Sequence, residues 1–384
     1  MTSPWAALAV LFTARLAMAF QYQVVASLGP LFMDRHGTNL ADLGILISLY
    51  LLPGLVFALP GGGIAQRFGD RRVVASGLVV MVLGGLIMWQ GQSWSLQILG
   101  RLLAGTGGVL LNVIMTKMVA DWFAGRNLAT AMGIFVNSWP AGIALALLLL
   151  PLIAQAGGLN AALATSMVLC IAGLALMTLA YRDPPASPGG TMPSGSWPRN
   201  SALTGILIAG CVWGLYNGAL AMVFAFGPAF LVERGAALTQ ASGISSLVLW
   251  LAVVSVPAGG LIGDRIRRPN AVLLAGLAGF AVTFALALLA PSLPVFILMG
   301  LICGLPAGPI MALPGRVLRP ETRALGMGIF FTLYYFWMAV LPALSGALSE
   351  QVGSAAVAFQ LGILLLALAA LGTLGLTRHR AQAA

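Results

Sequence analysis

Apolar runs of about twenty residues or more follow one another along almost the whole chain, separated by short connections rich in Gly, Pro and Arg. A run of that length suits a helix crossing a bilayer. In hydrocarbon no water is present to satisfy the backbone, so only helices and closed barrels can cross. The runs are continuous and do not alternate polar with apolar, which argues against a barrel. Composition agrees: 60% of residues are hydrophobic and 7% charged, against about 25% charged in a soluble domain.

Turn signals between the runs predict spans at 5–32, 41–63, 73–91, 96–120, 128–153, 160–180, 201–230, 239–262, 271–290, 294–318, 324–347 and 355–376. Gly and Pro inside them are tolerated where neighbouring helices satisfy the freed backbone groups. A formal charge of +10 raises nucleic-acid binding as a reading, but the distribution of charge argues against it. Fourteen arginines, among them Arg67, Arg71, Arg72, Arg182, Arg265, Arg316 and Arg380, fall in or beside connections on one side. Only Arg35 and Arg234 fall on the other. This asymmetry sets topology and predicts both termini in the cytoplasm of a multi-pass membrane protein. The opening MTSPWAALAVLFTARLAMAF has no basic n-region and no small-residue cleavage site, so it reads as an uncleaved first span. Cys170, Cys211 and Cys303 lie inside apolar runs without metal or redox spacing.

The long polar stretch RDPPASPGGTMPSGSWPRN, Arg182 to Asn200, is rich in Pro, Gly and Ser and reads as a flexible linker. It divides the chain into residues 1–181, the linker 182–200, and residues 201–384, with six spans on each side. The halves repeat each other in register. GPLFMDRHG from Gly29 is echoed by GPAFLVERG from Gly227. GGGIAQRFGDRR (Gly61 to Arg72) is echoed by GGLIGDRIRR (Gly259 to Arg268), Gly105 by Gly304, Lys117 by Arg316, and AMGIF from Ala131 by GMGIF from Gly326. Both halves start on the same side of the membrane, as parallel repeats do. The predicted fold class is therefore an all-α membrane protein of twelve transmembrane helices, arranged as two pseudo-symmetric six-helix bundles.

The phrase Gly62-x-x-x-Gln66-Arg67-x-Gly69-Asp70-Arg71-Arg72, placed after the second span, resembles the signature loop of the major facilitator superfamily. GRLLAGTGG (Gly100 to Gly108) resembles a second feature of that family. At finer grain, TKMVADWF (Thr116 to Phe123) and NSWPAGIALA (Asn137 to Ala146) resemble the bacterial branch of cyanate and nitroimidazole transporters. The resemblance implies a monomeric secondary transporter without cofactors that exposes one central site alternately to each side. It also implies a gating role for Arg67, Gly69, Asp70, Arg71, Asp264 and Arg265, and the first and fourth spans of each half as cavity lining. The family loop usually carries an aspartate where this chain has Gln66. For the loop arginines, topology alone is the competing explanation. Lys117 and Arg316, near the ends of their spans, read as gate or interface residues, with Asp121 one turn beyond Lys117.

A charge within a span is costly and usually faces the bundle interior. Arg15 sits near the middle of the first span, with Ala19, Tyr22 and Ala26 on its face and Gln23 flanking, a stripe suited to a water-filled cavity. The alternative is a structural arginine bonded to carbonyls of a neighbouring helix. Arg101 shares its face with Gly105, Gly108 and Asn112, where glycines let a helix or a ligand approach. Trp213, Tyr216 and Asn217 in the seventh span, and Tyr334, Tyr335 and Trp337 in the eleventh, read as an aromatic wall or as helix packing. Trp139-Pro140 reads as a bend whose freed carbonyls neighbours satisfy.

No Asp or Glu falls in the middle of any span. A cationic layer without buried acids predicts a small organic anion as substrate, since arginine binds planar carboxylates bidentately. The substrate-binding set expected on these grounds is Arg15, Tyr22, Gln23, Arg101, Asn112, Tyr216 and Asn217. A coupling proton stays open, carried by the anion or by a loop carboxylate. The competing reading is an efflux pump for neutral apolar or nitroaromatic compounds, to which the WPAG of the fifth span, a degraded form of a Gly-Pro-rich antiporter motif, lends some weight. An enzyme is not expected, because no convergent nucleophile and acid–base set lies in the spans.

Overall fold

The computed structural model of the chain describes residues 3–58, 60, 67–123, 128–183, 197–198, 201–319 and 322–383. Gln66 and most of the 182–200 stretch lie outside the described residues, as does the side chain of Asp264. Among the described residues, eleven helices are long and apolar enough to cross a membrane. One of them, Ile134–Leu179, has 46 residues, which at about 1.5 Å per residue is more than twice a bilayer core of about 30 Å. It is interrupted at Gly158, whose φ of 74° suits a residue without a side chain. Its two limbs are the fifth and sixth spans, which brings the spans among the described residues to twelve.

Prolines cut several predicted runs into shorter helices, because each removes one backbone donor and crowds the preceding turn. The run 5–32 becomes Pro4–Ser27 and Gly29–His36, parted at Leu28 (φ −119°, ψ 22°). The run 41–63 becomes Leu40–Leu49 and Gly54–Phe57 around Pro53. The run 201–230 becomes Ser201–Ala221, a π-turn over Met222–Phe226, and Gly227–Val232. The run 294–318 becomes Leu293–Cys303, Ala307–Met311 and Leu313–Val317, with Pro306 and Pro314 at the breaks. Uninterrupted helices form the third span (Asp70–Gln90), the fourth (Trp94–Trp122) and the ninth (Pro269–Leu289). The eighth span (Leu238–Arg265) and the eleventh (Arg323–Val352) each keep an internal proline, and Ala356–Ala383 forms the twelfth.

The repeated phrase folds alike in both halves. Leu28 and Phe226, each just before a Gly-Pro pair, share a kinked backbone, with Phe226 at φ −114° and ψ −11°. Beyond the kink each phrase holds the start of the last span of its own half. Arg35 Nη1 donates to Asn160 Oδ1 at 2.6 Å, at the start of the sixth span. The Glu233 carboxylate accepts from the Ala355 N–H at 2.7 Å and the Ser354 hydroxyl at 3.0 Å, at the start of the twelfth.

The face of the molecule bearing Arg67–Arg72 and Arg265–Arg268 is here called the basic face, and the opposite one the far face. The two bundles meet at the far face and in the middle. Gly44 of the second span lies against Gly346 of the eleventh so closely that a Cβ on Gly44 would sit 2.4 Å from the Pro342 oxygen. Small residues permit this approach of backbones. Around it, Leu40 N–H donates to Glu350 Oε2 at 3.1 Å and Ala343 N–H to Ser48 Oγ at 2.9 Å. Ser246 Oγ of the eighth span donates to the Ala144 carbonyl of the fifth at 2.7 Å. At the basic face, the polar contacts described stay within one bundle: Lys117 with Asp70, Arg71 with the Met177 and Thr178 carbonyls, and Arg316 with Asn270.

The Gly44–Gly346 contact makes a direct prediction. Gly44→Val places methyl groups where the Pro342 carbonyl stands and should part the second and eleventh spans at the far face. A Ser48→Cys reporter would then react several-fold faster with an impermeant maleimide applied from that side. Unchanged labelling would show that the glycine contact does not hold the seam.

Candidate functional site

Arg15 reaches the middle of the molecule from the first span. Its Nε donates to Asn112 Oδ1 at 2.8 Å, and Asn112 Nδ2 donates to Tyr335 Oη at 2.9 Å, so a hydrogen-bonded chain runs from the first bundle into the second. Its Nη1 donates to the carbonyls of Phe135 and Val136 at 3.0 and 3.1 Å. Val136 is four residues before Pro140, which has no N–H to offer it, so the guanidinium supplies the donor that the proline withholds. The guanidinium also lies 4.7 Å from the Phe135 ring centre. Arg15 is half-buried, and its Nη2 donates to no group among the described residues.

Arg101 is in a different setting. It is 1% exposed, with Nε on the Leu46 carbonyl at 2.9 Å, Nη1 on that of Gln21 at 3.2 Å and Nη2 on that of Tyr22 at 2.6 Å. The rings of Tyr50 and Tyr22 lie 4.6 and 5.5 Å from its guanidinium carbon. The second span breaks at Tyr50, which leaves the Leu46 carbonyl in need of a donor, and Arg101 provides it. A ligand reaching Arg101 would have to displace the Tyr22 and Tyr50 rings that enclose it. Of the two readings open for this residue, the geometry is that of an arginine tying the first, second and fourth spans together.

The stripe expected to face water is dry. Ala19, Tyr22, Gln23 and Ala26 are all buried, because the fifth and seventh spans lie against this part of the first. Gln23 Nε2 donates to the Phe224 carbonyl at 2.7 Å, the group four residues before Pro228. The Tyr22 ring packs on Trp139, Tyr50 and Phe224, with centroids 5.2, 5.5 and 6.1 Å away. Its hydroxyl has no partner among the described residues. In the second bundle, Tyr216 donates to the Cys303 carbonyl at 2.9 Å and Asn217 to the Trp213 carbonyl of its own helix at 2.8 Å. The structure therefore brings Arg15 and Asn112 together with Tyr335. It places Arg101 behind Tyr22, and Tyr216 and Asn217 against their own bundle. Trp213 links Tyr216 to Tyr334, at 5.6 and 6.3 Å, and Tyr334 stands 5.1 Å from Tyr335, so one aromatic wall reaches the centre.

Tyr335 as a hydrogen-bonding member, and Gln21 and Tyr50 as supports of Arg101, were missed as functional residues in the sequence. Gln21 Nε2 donates to the Met81 carbonyl at 2.9 Å and its Oε1 accepts from the Tyr50 hydroxyl at 3.3 Å. The intramembrane glutamine was the available signal. Its partners come from distant spans and have no sequence spacing.

At the basic face, Lys117 bridges Asp70 at 2.6 Å and Asp121 at 3.2 Å. Gly69, at φ 86°, makes the turn that starts the third span at Asp70. Arg316, the repeat counterpart of Lys117, donates to Asn270 Oδ1 at 2.8 Å, again tying a fourth-type span to a third-type one. Arg67 is exposed beside Phe68, and Arg265 is exposed at the end of the eighth span.

Residues 11–234 and 202–384 match the family model described as Major Facilitator Superfamily. Inner membrane transport protein YajR of Escherichia coli (strain K12) is 31% identical over 162 residues, 42% of this chain and 35% of that protein. The hexuronate transporter of Bacillus subtilis (strain 168) is 23% identical over 257 residues, 63% of this chain and 60% of that protein. The chain thus spans less than two thirds of either curated relative. A crystal structure of a bacterial homolog to the human lysosomal transporter Spinster superposes with a TM-score of 0.78 over 98% of both chains at 13% identity, a likeness of fold alone.

The two central arginines should separate in a stability measurement. Hydrogen bonds to charged groups contribute about 1.5–3 kcal/mol each, so Arg101→Gln, which breaks three in a dry site, should cost about 3 kcal/mol or more. Arg15→Gln, in a half-open site, should lose less than half of that in thermal unfolding of the unliganded protein. Equal losses would mean that both arginines are structural.

Proposed function

The chain belongs to the Major Facilitator Superfamily, whose model it matches over nearly its full length, and from that premise we propose that the layer around Arg15 is the central site of a secondary transporter for small organic anions. That the protein is a multi-pass membrane transporter and not an enzyme follows from the family and its relatives. The charge of the solute, and the residues that hold it, are the proposal.

One observation carries it. Arg15 lies between the bundles with Nη2 uncommitted, in spans that contain no mid-membrane carboxylate to neutralise it. A carboxylate of the solute would accept from Nη2, and the Tyr335 hydroxyl, which already accepts from Asn112, is placed to donate to it. Both partners are polar groups beside apolar rings, where a hydrogen bond to a charge is stronger than in water. The Bacillus relative named for hexuronates, which are sugar carboxylates, is in keeping with this class.

The arginine asymmetry supports an orientation with the basic face and both termini in the cytoplasm, and the bacterial relatives support an inner membrane. The bundles, residues 1–181 and 201–384 joined by 182–200, then rock about the central site as a monomer. Their contacts at the far face, and the bonds kept within each bundle at the basic face, suit a state open to the cytoplasm. Opening to the other side would release the far-face bonds beside Gly44 and Gly346 and bring the basic-face ends together, with Arg67, Gly69, Asp70, Arg71, Lys117, Asp264, Arg265 and Arg316 as the proposed gating residues. The aromatic wall of Trp213, Tyr334 and Tyr335 favours a second reading, export of neutral aromatic compounds.

Thermal shift of the purified protein decides between them. A ligand at 100 times its dissociation constant adds about 2.7 kcal/mol if it binds only the folded state. Stabilisation by small carboxylates such as glucuronate or benzoate, absent in Arg15→Gln but kept in Lys117→Gln, is the expected result. Stabilisation by neutral aromatics, equal in parent and Arg15→Gln, would move export to first place.

A further inference from the structure

Two cavities lie outside the central site, and they adjoin. One is an apolar groove of about 420 Å³ on the flank of the third and fourth spans, walled by Val73, Val80 and Leu110. Its floor is formed where Gly77 and Gly107 touch: a Cβ on Gly107 would sit 2.2 Å from the Gly77 oxygen, so neither position can carry a side chain to fill the groove. The other is a polar cavity of about 910 Å³ at the basic face, bordered by Arg67, Arg71, Arg72 and Lys117 together with Asp70 and Asp183. Phe68 and Arg72 line both.

The cations of the polar cavity are not equally engaged. Lys117 is held by Asp70 and Asp121, and Arg71 by the Met177 and Thr178 carbonyls. Arg67 and Arg72 are exposed and have no ion-pair partner among the described residues. Two free guanidinium groups thus stand at the mouth of an apolar groove on the flank of a membrane-spanning bundle. We infer that this is a binding site for an anionic phospholipid, with the phosphate on Arg72 and Arg67 and one acyl chain in the groove past Phe68.

The occupant follows from the shape and the charge together. A soluble anion uses the arginines but leaves the groove empty, and a zwitterionic lipid fills the groove but brings its own cation to the arginines. Only a chain-bearing molecule of net negative charge matches both cavities, and basic pockets between helices at the cytoplasmic surface bind such head groups. The placement in the inner leaflet rests on the orientation proposed above; the pairing of groove and arginines does not. The site adjoins the turn at Gly69 and the Lys117–Asp70 bridge, so a bound lipid would touch the loop that joins the second and third spans.

The experiment titrates the full chain in neutral detergent with phosphatidylglycerol, phosphatidylcholine or glycerol 3-phosphate, with lipid binding read by native mass spectrometry. Parent, Arg67→Gln/Arg72→Gln and Ser76→Trp are compared; Ser76 is an exposed residue of the groove whose replacement fills it. Phosphatidylglycerol should bind in preference to phosphatidylcholine, and its affinity should fall roughly thirtyfold in the double arginine variant. Ser76→Trp should weaken it with both arginines in place. Equal binding of the two lipids would overturn the site. Competition by glycerol 3-phosphate as effective as the lipid itself would make it a soluble-anion pocket and overturn the role of the groove. Solute-induced thermal shifts recorded on the same variants keep this inference separate from the central site, since loss of either leaves the other measurable.

Discussion

The need of every backbone carbonyl for a donor in a medium without water governs this structure. Prolines and kinks break the spans repeatedly, and each break strands an acceptor that hydrocarbon cannot satisfy. Polar side chains take up several of these acceptors. Arg15 serves Val136, freed by Pro140; Gln23 serves Phe224, freed by Pro228; Arg101 serves Leu46 beside the break at Tyr50; and Tyr216 serves Cys303 beside the break before Pro306. The Ser255 hydroxyl is spliced into the tenth span, accepting from Gly304 N–H at 3.1 Å and donating to the Gly300 carbonyl at 2.9 Å. The polar residues that look most like a transport pathway in the sequence are, in large part, the donors of a broken helical scaffold.

Arg15 stands out because it does more than this. Its Nη1 serves the break, its Nε fixes Asn112, and one nitrogen is left over. A side chain with five donors can be held rigidly by some and still present others, which a lysine in the same place could not do. The rigidity of the candidate site thus derives from the same repair that stabilises the fifth span.

Much of the fold was legible in the sequence, since run length, the one-sided arginines and the in-register repeats each reflect the bilayer or gene-level duplication directly. Legible too was the need for an outside donor created by Pro140, which Arg15 meets at the Val136 carbonyl. Roles that depend on what lies opposite were not. The face of Tyr22 and Gln23 reads as cavity lining by periodicity, but the fifth and seventh spans close over it. Arg101 beside glycines reads equally well as ligand site or packing, and only the carbonyls of Gln21, Tyr22 and Leu46 distinguish them. The repeat even conceals a change of chemistry: the phrase at Gly29 secures the sixth span with its base, Arg35, while the phrase at Gly227 secures the twelfth with its acid, Glu233. The mechanical duty is retained and the ion performing it is exchanged.

The backbone contact between Gly44 and Gly346 has a consequence for how the bundles can move. Interdigitated side chains act as teeth, and a helix rolling over a toothed neighbour must climb from one packed register to the next. Where two glycines meet there are no teeth, and the helices can roll against each other as smooth cylinders over a bearing surface. The bonds beside it, Leu40 to Glu350 and Ala343 to Ser48, are short tethers that hold one end of the roll without adding registers along the way. Such a seam favours two end positions with little between them to trap the protein midway.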